Sequence, residues 1–194
     1  MTINTSNSLD HWNYFLALDE DLIKLSRYVE FCESNFECHS LEMARILFTA
    51  ASEVDVVSKQ LCQKLDSHSE ADGINQYRDI IKNTYSNVPD FKVTIPRFGL
   101  NLTPWSNWNQ NDGVPLWWTA NNKVKHHRNT DFYKANLKNV INAVSGLFVI
   151  TLYFYKEKAE NAELIPMQSL LRVTEENFDG MTFDDDEFGI NYKL

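Results

Sequence analysis

Glycine, proline and cysteine are scarce in this chain of 194 residues, which has six glycines, five prolines and three cysteines. With 43% hydrophobic and 13% aromatic residues, this composition excludes a collagen-like or low-complexity chain and indicates that most of the sequence folds. Three cysteines without dense spacing exclude a disulfide framework and suit a reducing compartment. We therefore expect free thiols and a cytoplasmic protein.

No uninterrupted apolar run reaches the roughly 20 residues that a membrane-spanning helix requires. The most apolar stretch, 140–155, is interrupted by Asn142, Ser145, Gly146 and Thr151. The start of the chain is polar and has neither the basic nor the apolar region of a secretory signal. We therefore expect no membrane association, and a buried helix at 140–155.

Several common functional motifs are also missing: the chain has no glycine-rich phosphate loop, no Gly-x-Ser-x-Gly and no His-Glu-x-x-His. The sequence therefore does not indicate the most frequent classes of nucleotide-binding protein, hydrolase or metalloprotease. Cys32, Cys38 and His39 lack zinc-site spacing, and no second ligand pair follows them. The sequence predicts neither a metal nor a cofactor.

The formal net charge of -9 is concentrated near the C-terminus. Residues 159–194 contain nine acidic and two basic residues, which leaves a charge of -2 for residues 1–158. The acidity argues against a general polyanion binder, because phosphate backbones are held mainly by lysine and arginine. A nearly neutral body still allows a local basic patch.

Apolar residues recur at helical spacing and predict an all-α fold, an antiparallel bundle of about five helices. The predicted helices are 19–31 (with an earlier helix at 11–18 left open), 41–65 capped by Ser40, 75–85, 115–127 from Pro115, and 132–158 capped by Thr130 or Asp131. The last helix, apolar nearly all round, belongs in the bundle centre or a dimer interface.

The segments between the helices are also predicted. We expect 91–102 to be a loop or short strand, and 104–115 to be an ordered aromatic loop. We expect residues 1–158 to form the bundle. We expect residues 159–194 to form a short irregular acidic tail, either packed as strands or flexible.

The segment 117–128 separates into two helical faces. Trp117, Ala120 and Val124 are spaced to face the core. The neighbouring stripe consists of Trp118, Asn122, Lys125, His126 and Asn129. An amide, a cation and an imidazole together can hold an anion and exchange a proton with a bound hydroxyl or phosphate. The alternative is a solvated basic face at a helix C-terminus, where the helix dipole favours positive charge.

Glu53 lies on or beside the apolar stripe of the 41–65 helix, and a buried carboxylate needs a partner. The basic candidates are Lys125, His126 and Arg128, with Arg45 of its own helix as a rival. Asp55 is expected to point elsewhere, into solvent. Glu53 is therefore either a catalytic group or a salt bridge that positions two helices.

The combination of Ser52–Asp55 in one helix, Trp117–Arg128 in another and a long apolar closing helix resembles the HEPN superfamily over residues 19–158. Families of this type are helical bundles that commonly dimerise, and many are metal-independent endoribonucleases of toxin, phage-defence or RNA-processing systems. Their site combines an arginine, a neighbouring polar residue and a histidine a few residues on. The resemblance implies His126 or His127 as the histidine and Asn122 as the polar residue. The arginine position is occupied by Asn121, which leaves phosphate stabilisation to Lys125 or Arg128.

Two functions follow as expectations. The resemblance implies a homodimer that cleaves RNA, or binds RNA or a nucleotide, with His126 as general acid or base. Lys125 and Arg128 would then clamp phosphate, and Glu53 would orient them. The alternative is a non-catalytic helical dimer that binds another protein through its acidic tail or aromatic loop. A cleft around Asn122, Lys125 and His126 would favour the first function, and an open convex surface would favour the second.

Overall fold

A computed structural model of the protein describes residues 8–184 and 187–194, so the first seven residues of the predicted bundle and residues 185–186 of the predicted tail lie outside it. Within the described ranges the α-helices are α1 Asp10–Leu25, α2 Leu41–Leu65, α3 Ile74–Thr84, α4 Leu116–His126, α5 Arg128–Asp131, α6 Leu137–Phe154 and α7 Lys156–Glu160. The strands are β1 Val93–Ile95, β2 Leu100–Leu102, β3 Arg172–Val173, β4 Phe178–Asp184 and β5 Glu187–Tyr192. The predicted all-α bundle of about five helices is therefore wrong. Helices predominate, but the fold is mixed, with two small antiparallel sheets.

The two longest helices, α2 and α6, pack along each other in the centre, with α1, α3 and α4 around them. The predicted start of α2 is confirmed, because the Ser40 hydroxyl accepts a hydrogen bond from the Met43 amide at 3.1 Å. By length and composition alone α6 could cross a membrane, yet 78% of it is buried within this fold. α6 therefore lies in the centre of the helices, one of its two predicted positions. Its N-terminal cap is Asn136 rather than Thr130 or Asp131.

The first helix lies earlier in the chain than its predicted range. It begins at Asp10 and ends at Leu25, and Tyr28, which extends the helical spacing in sequence, is 85% exposed. Asp19, at the predicted start, instead lies in the middle of α1 and is buried. Its carboxylate accepts hydrogen bonds from three backbone amides of the C-terminal region, those of Ser169, Leu170 and Leu171.

The segment 91–102 forms a hairpin of two three-residue strands. β1 pairs antiparallel with β2 and, on its other side, with β3 from the C-terminal region. Pro96 and Gly99, which argue against one continuous strand over 91–102, lie in the connection between β1 and β2. Gly99 has a φ of +64°, which favours glycine. The following aromatic loop is ordered, with Trp105 and Trp108 ring centroids 4.2 Å apart.

The C-terminal region takes the packed alternative and ends in a β4–β5 hairpin. Ile190 and Tyr192 are buried against the helices, and the Tyr192 hydroxyl donates to Gln168 Oε1 at 3.0 Å. Gly189 lies so close to the turn after α7 that a β-carbon there would be 2.1 Å from the Ala162 carbonyl oxygen. The base of the hairpin is therefore fixed to the body of the protein.

Candidate functional site

Helix α4 is fixed by one buried tryptophan. The Trp117 indole donates to the Pro104 carbonyl at 2.9 Å, and its ring packs against Gly146 of α6. A β-carbon at Gly146 would lie 2.9 Å from the Trp117 ring, so glycine allows this close approach. With Ala120 and Val124 also buried, the core face of α4 is as predicted, and its other side faces outward.

The outward side of α4 forms a ridge between two shallow depressions. Trp118, half-buried, and Asn122, exposed, belong to both and form the ridge. One depression, of about 430 Å³, is completed by Phe48, Ala51, Ser52, Asp55, Asn121 and Lys125. The other, of about 360 Å³, is completed by Ile74, Val114, Thr119, Lys123, His126 and His127. Asn122 and Lys125 thus line a cleft between α2 and α4, whereas His126 lines the second depression, across the ridge. The three side chains therefore do not share the single cleft that was expected for the first function.

Four basic side chains at the end of α4 are exposed and form no ion pair with a described residue. Lys123, Lys125, His126 and His127 are exposed, and none forms an ion pair within residues 8–184 and 187–194. The nearest acid by sequence, Asp131, is held by Lys134 at 2.6 Å. That hydrogen bond lowers the pKa of Asp131 below its usual value, so the carboxylate stays ionised and paired. The end of α4 is therefore a local cationic surface on an acidic protein.

The α2 wall of the cleft carries Asp55, not Glu53. Asp55 is half-buried rather than solvated, and its Oδ1 accepts a hydrogen bond from the Tyr77 hydroxyl of α3 at 3.1 Å. Burial, and secondarily the Asp55 charge, raises the pKa of Tyr77, so the phenol remains a donor. Asp55 is a site residue that the sequence reasoning missed, although it lies on the same short motif as Ser52.

Glu53 points away from α4. Its Oε1 lies 2.6 Å from His11 Nδ1 of α1, while His11 Nε2 lies 3.3 Å from Gln60 Oε1. The imidazole also packs edge-on against Phe154 at the end of α6, with centroids 4.9 Å apart. The predicted neighbours Lys125, His126 and Arg128 are therefore not its partners. The contact joins α1 to α2, so Glu53 does connect two helices, but its partner is His11 rather than a basic group of α4.

Arg128 is also separated from the cleft. It begins α5, beyond the end of α4, and its guanidinium carbon lies 5.3 Å from the centroid of the Phe132 ring. It lines neither depression. Of the five predicted site residues, the fold brings Asn122, Lys125 and His126 together on α4 and leaves Glu53 and Arg128 apart.

The grouped side chains suit the recognition of a phosphate and a flat ring. Lysine and neutral amide groups hold phosphate oxygens, imidazoles transfer protons near neutral pH, and a half-exposed indole can stack on a base. Among the described residues no three His, Cys, Asp or Glu side chains are grouped closely enough to hold a metal ion. Comparisons with protein-family models, curated proteins and solved structures found no match.

Proposed function

We propose that this protein is a HEPN-like endoribonuclease that binds single-stranded RNA across α4 and cleaves it without a metal ion. The observation that carries the proposal is the exposed group of Asn122, Lys125 and His126 on a ridge between two depressions. Neither Lys125 nor His126 forms an ion pair with a described residue, although Asp55 lines the same depression as Lys125. Each depression lies near the lower end of the volume range of small-ligand sites.

The RNA backbone would cross the ridge, with one nucleotide in each depression. The scissile phosphate then lies over Asn122, between Lys125 on one side and His126 on the other, because residues three and four apart on a helix are neighbours. One of the two bases stacks on the Trp118 indole, which is shared by both depressions. Lys125 supplies the positive charge that Asn121 lacks.

The cleavage is a transesterification within the RNA. His126 removes the proton of the 2′-hydroxyl, the 2′-oxygen bonds to phosphorus, and the bond from phosphorus to the 5′-oxygen breaks. His127, which lines the same depression, gives a proton to the departing 5′-oxygen. The products are a 2′,3′-cyclic phosphate and a 5′-hydroxyl end.

The test is cleavage of a 5′-labelled single-stranded RNA in the presence of EDTA. His126→Ala should reduce the rate about a hundredfold or more, since general acid or base catalysis contributes about 10²–10⁴-fold. The matched control is His68→Ala, which removes an exposed histidine far from α4 in sequence and should leave the rate unchanged. An RNA with a single 2′-deoxy nucleotide should bind but resist cleavage at that position.

Lys125→Gln separates binding from chemistry. It should weaken RNA binding and reduce the dependence of the logarithm of affinity on the logarithm of salt concentration by about 0.7, the contribution of one single-strand phosphate contact. Unchanged cleavage by His126→Ala, or cleavage at the deoxy position, would contradict the proposed chemistry. Unchanged salt dependence in Lys125→Gln would contradict the proposed path of the RNA.

A further inference from the structure

The free end of the β4–β5 hairpin exposes three large apolar side chains. Met181, Phe183 and Phe188 are 54%, 58% and 53% exposed, whereas Ile190 on the same face is buried at the base. Phe183 and Phe188 are directly opposite each other, with ring centroids 4.6 Å apart. Clustered exposed apolar side chains, unlike single ones, typically mark an interaction surface.

One edge of this hairpin is covered and the other is open. β5 lies against α7, where the Asn191 side chain donates to the Glu160 carbonyl at 3.0 Å. β4 pairs only with β5 in the described part of the chain. In an antiparallel pair, alternate residues of an edge strand direct their N–H and C=O groups away from the partner strand. The outer edge of β4 is thus able to accept a further strand.

The charge around this edge is negative. Asp179 and Glu187 are exposed and form no ion pair with any residue that the structure describes. A second copy of the chain pairing through β4 would bring acids against acids, and like charges across strands are destabilising. The occupant that fits is therefore a different, basic polypeptide.

We propose that β4 binds an extended segment of another protein as a third strand, and that this segment alternates lysine or arginine with apolar residues. Backbone hydrogen bonds to the open edge would give affinity, and the side chains would give selectivity. Because alternate residues of a strand share a face, the apolar residues of the segment contact Met181 and Phe183. Its basic residues meet the surrounding acidic charge. This surface is separate from α4.

The test uses the whole ¹⁵N-labelled protein and a synthetic peptide, Lys-Val-Lys-Phe-Lys-Val-Lys, with amide shifts followed by NMR. The shifts should be concentrated at β4, above all at Met181 and Phe183. A peptide with glutamate in place of lysine should bind at least tenfold more weakly. The same loss is expected for a lysine peptide whose alternate backbone amides are N-methylated, because it cannot complete the strand pairing.

Protein variants complete the test. Phe183→Ser should weaken binding of the lysine peptide at least tenfold, whereas Tyr28→Ser, at an apolar side chain that is exposed elsewhere, should not. Both residues are exposed, so neither change should unfold the protein. Shifts away from β4, no shifts with the lysine peptide, or equal binding of the glutamate peptide would overturn the proposal. So would a wild-type dimer in sedimentation velocity that Phe183→Ser dissociates, because the occupant would then be a second copy. RNA cleavage should be the same in Phe183→Ser and wild type.

Discussion

Removal of the Asp19 carboxylate should destabilise the whole fold, because this side chain joins the first helix to the C-terminal region. Asp19 is 1% exposed and accepts hydrogen bonds from the amides of Ser169, Leu170 and Leu171 at 2.7, 2.9 and 3.0 Å. In Asp19→Ala these donors lose their acceptor. The two at Leu170 and Leu171 are buried, so water does not readily replace the carboxylate.

The expected magnitude follows from these contacts. Each buried donor left unpaired costs about 1–3 kcal/mol, so the two buried amides together cost about 2–6 kcal/mol. Relief from burying an ionised carboxylate offsets part of this cost. We therefore expect Asp19→Ala to lower the free energy of unfolding by about 3 kcal/mol. Asp19→Asn should cause a loss of similar order, because its NH₂ group faces N–H donors.

The assay is urea unfolding, followed by circular dichroism and by tryptophan fluorescence to check that the transitions coincide. With a slope of about 2 kcal/mol/M, the midpoint for Asp19→Ala should fall by about 1.5 M urea. Glu20→Ala, at the next and exposed position of α1, is the matched control and should change the midpoint little. A midpoint for Asp19→Ala equal to that of the control would refute the reasoning.

Two further predictions concern the core. Burial raises the pKa of the Cys62 thiol to about 11. At pH 8 a disulfide reagent should therefore label Cys32 and Cys38 quickly and Cys62 only slowly, and urea should remove the difference. Equal labelling rates in the folded protein would contradict the buried placement of Cys62. Gly146→Ala should force the Trp117 ring to shift and lower the free energy of unfolding by about 1–3 kcal/mol. The near-ultraviolet circular dichroism should change with it, whereas Gly73→Ala, where an added β-carbon meets no atom within 4 Å, should leave the signal unchanged.

Local sequence signals predicted those helices whose determinants are themselves local. The ends of α2 were predicted correctly, because Ser40 caps the helix within three residues and the apolar stripe continues to its end. The range of α1 was wrong because the apolar spacing continues in sequence to Tyr28, which lies exposed beyond the end of the helix. Asp19, at the predicted start, is instead a buried acceptor for amides about 150 residues later in the chain. No local sequence pattern predicts a hydrogen bond between residues so far apart in the chain.

The mixed fold was missed for a related reason. β1 and β2 have three residues each, so their weak alternation leaves a loop and a short strand equally open, and β3 joins them from Arg172 and Val173 far along the chain. The candidate site shows the same limit. Helical spacing placed Asn122 and Lys125 on one face of α4, but which α2 carboxylate meets them depends on how the two helices pack. The structure gives that position to Asp55 and leaves Glu53 to His11.

The formal charge of -9 is a sum over the whole chain, and it conceals two surfaces of opposite sign. This separation affects how each proposed interaction should be tested. The end of α4 is cationic and the hairpin edge is anionic, so an RNA is attracted to the first and repelled by the second, while a basic peptide behaves in the opposite way. Both interactions weaken as salt screens charges beyond about 10 Å at 0.1 M ionic strength, and salt sensitivity alone therefore does not identify the surface in use. Residue changes do identify it. Lys125→Gln should affect RNA without affecting the peptide, and Phe183→Ser should affect the peptide without affecting RNA, because the two surfaces share no residue.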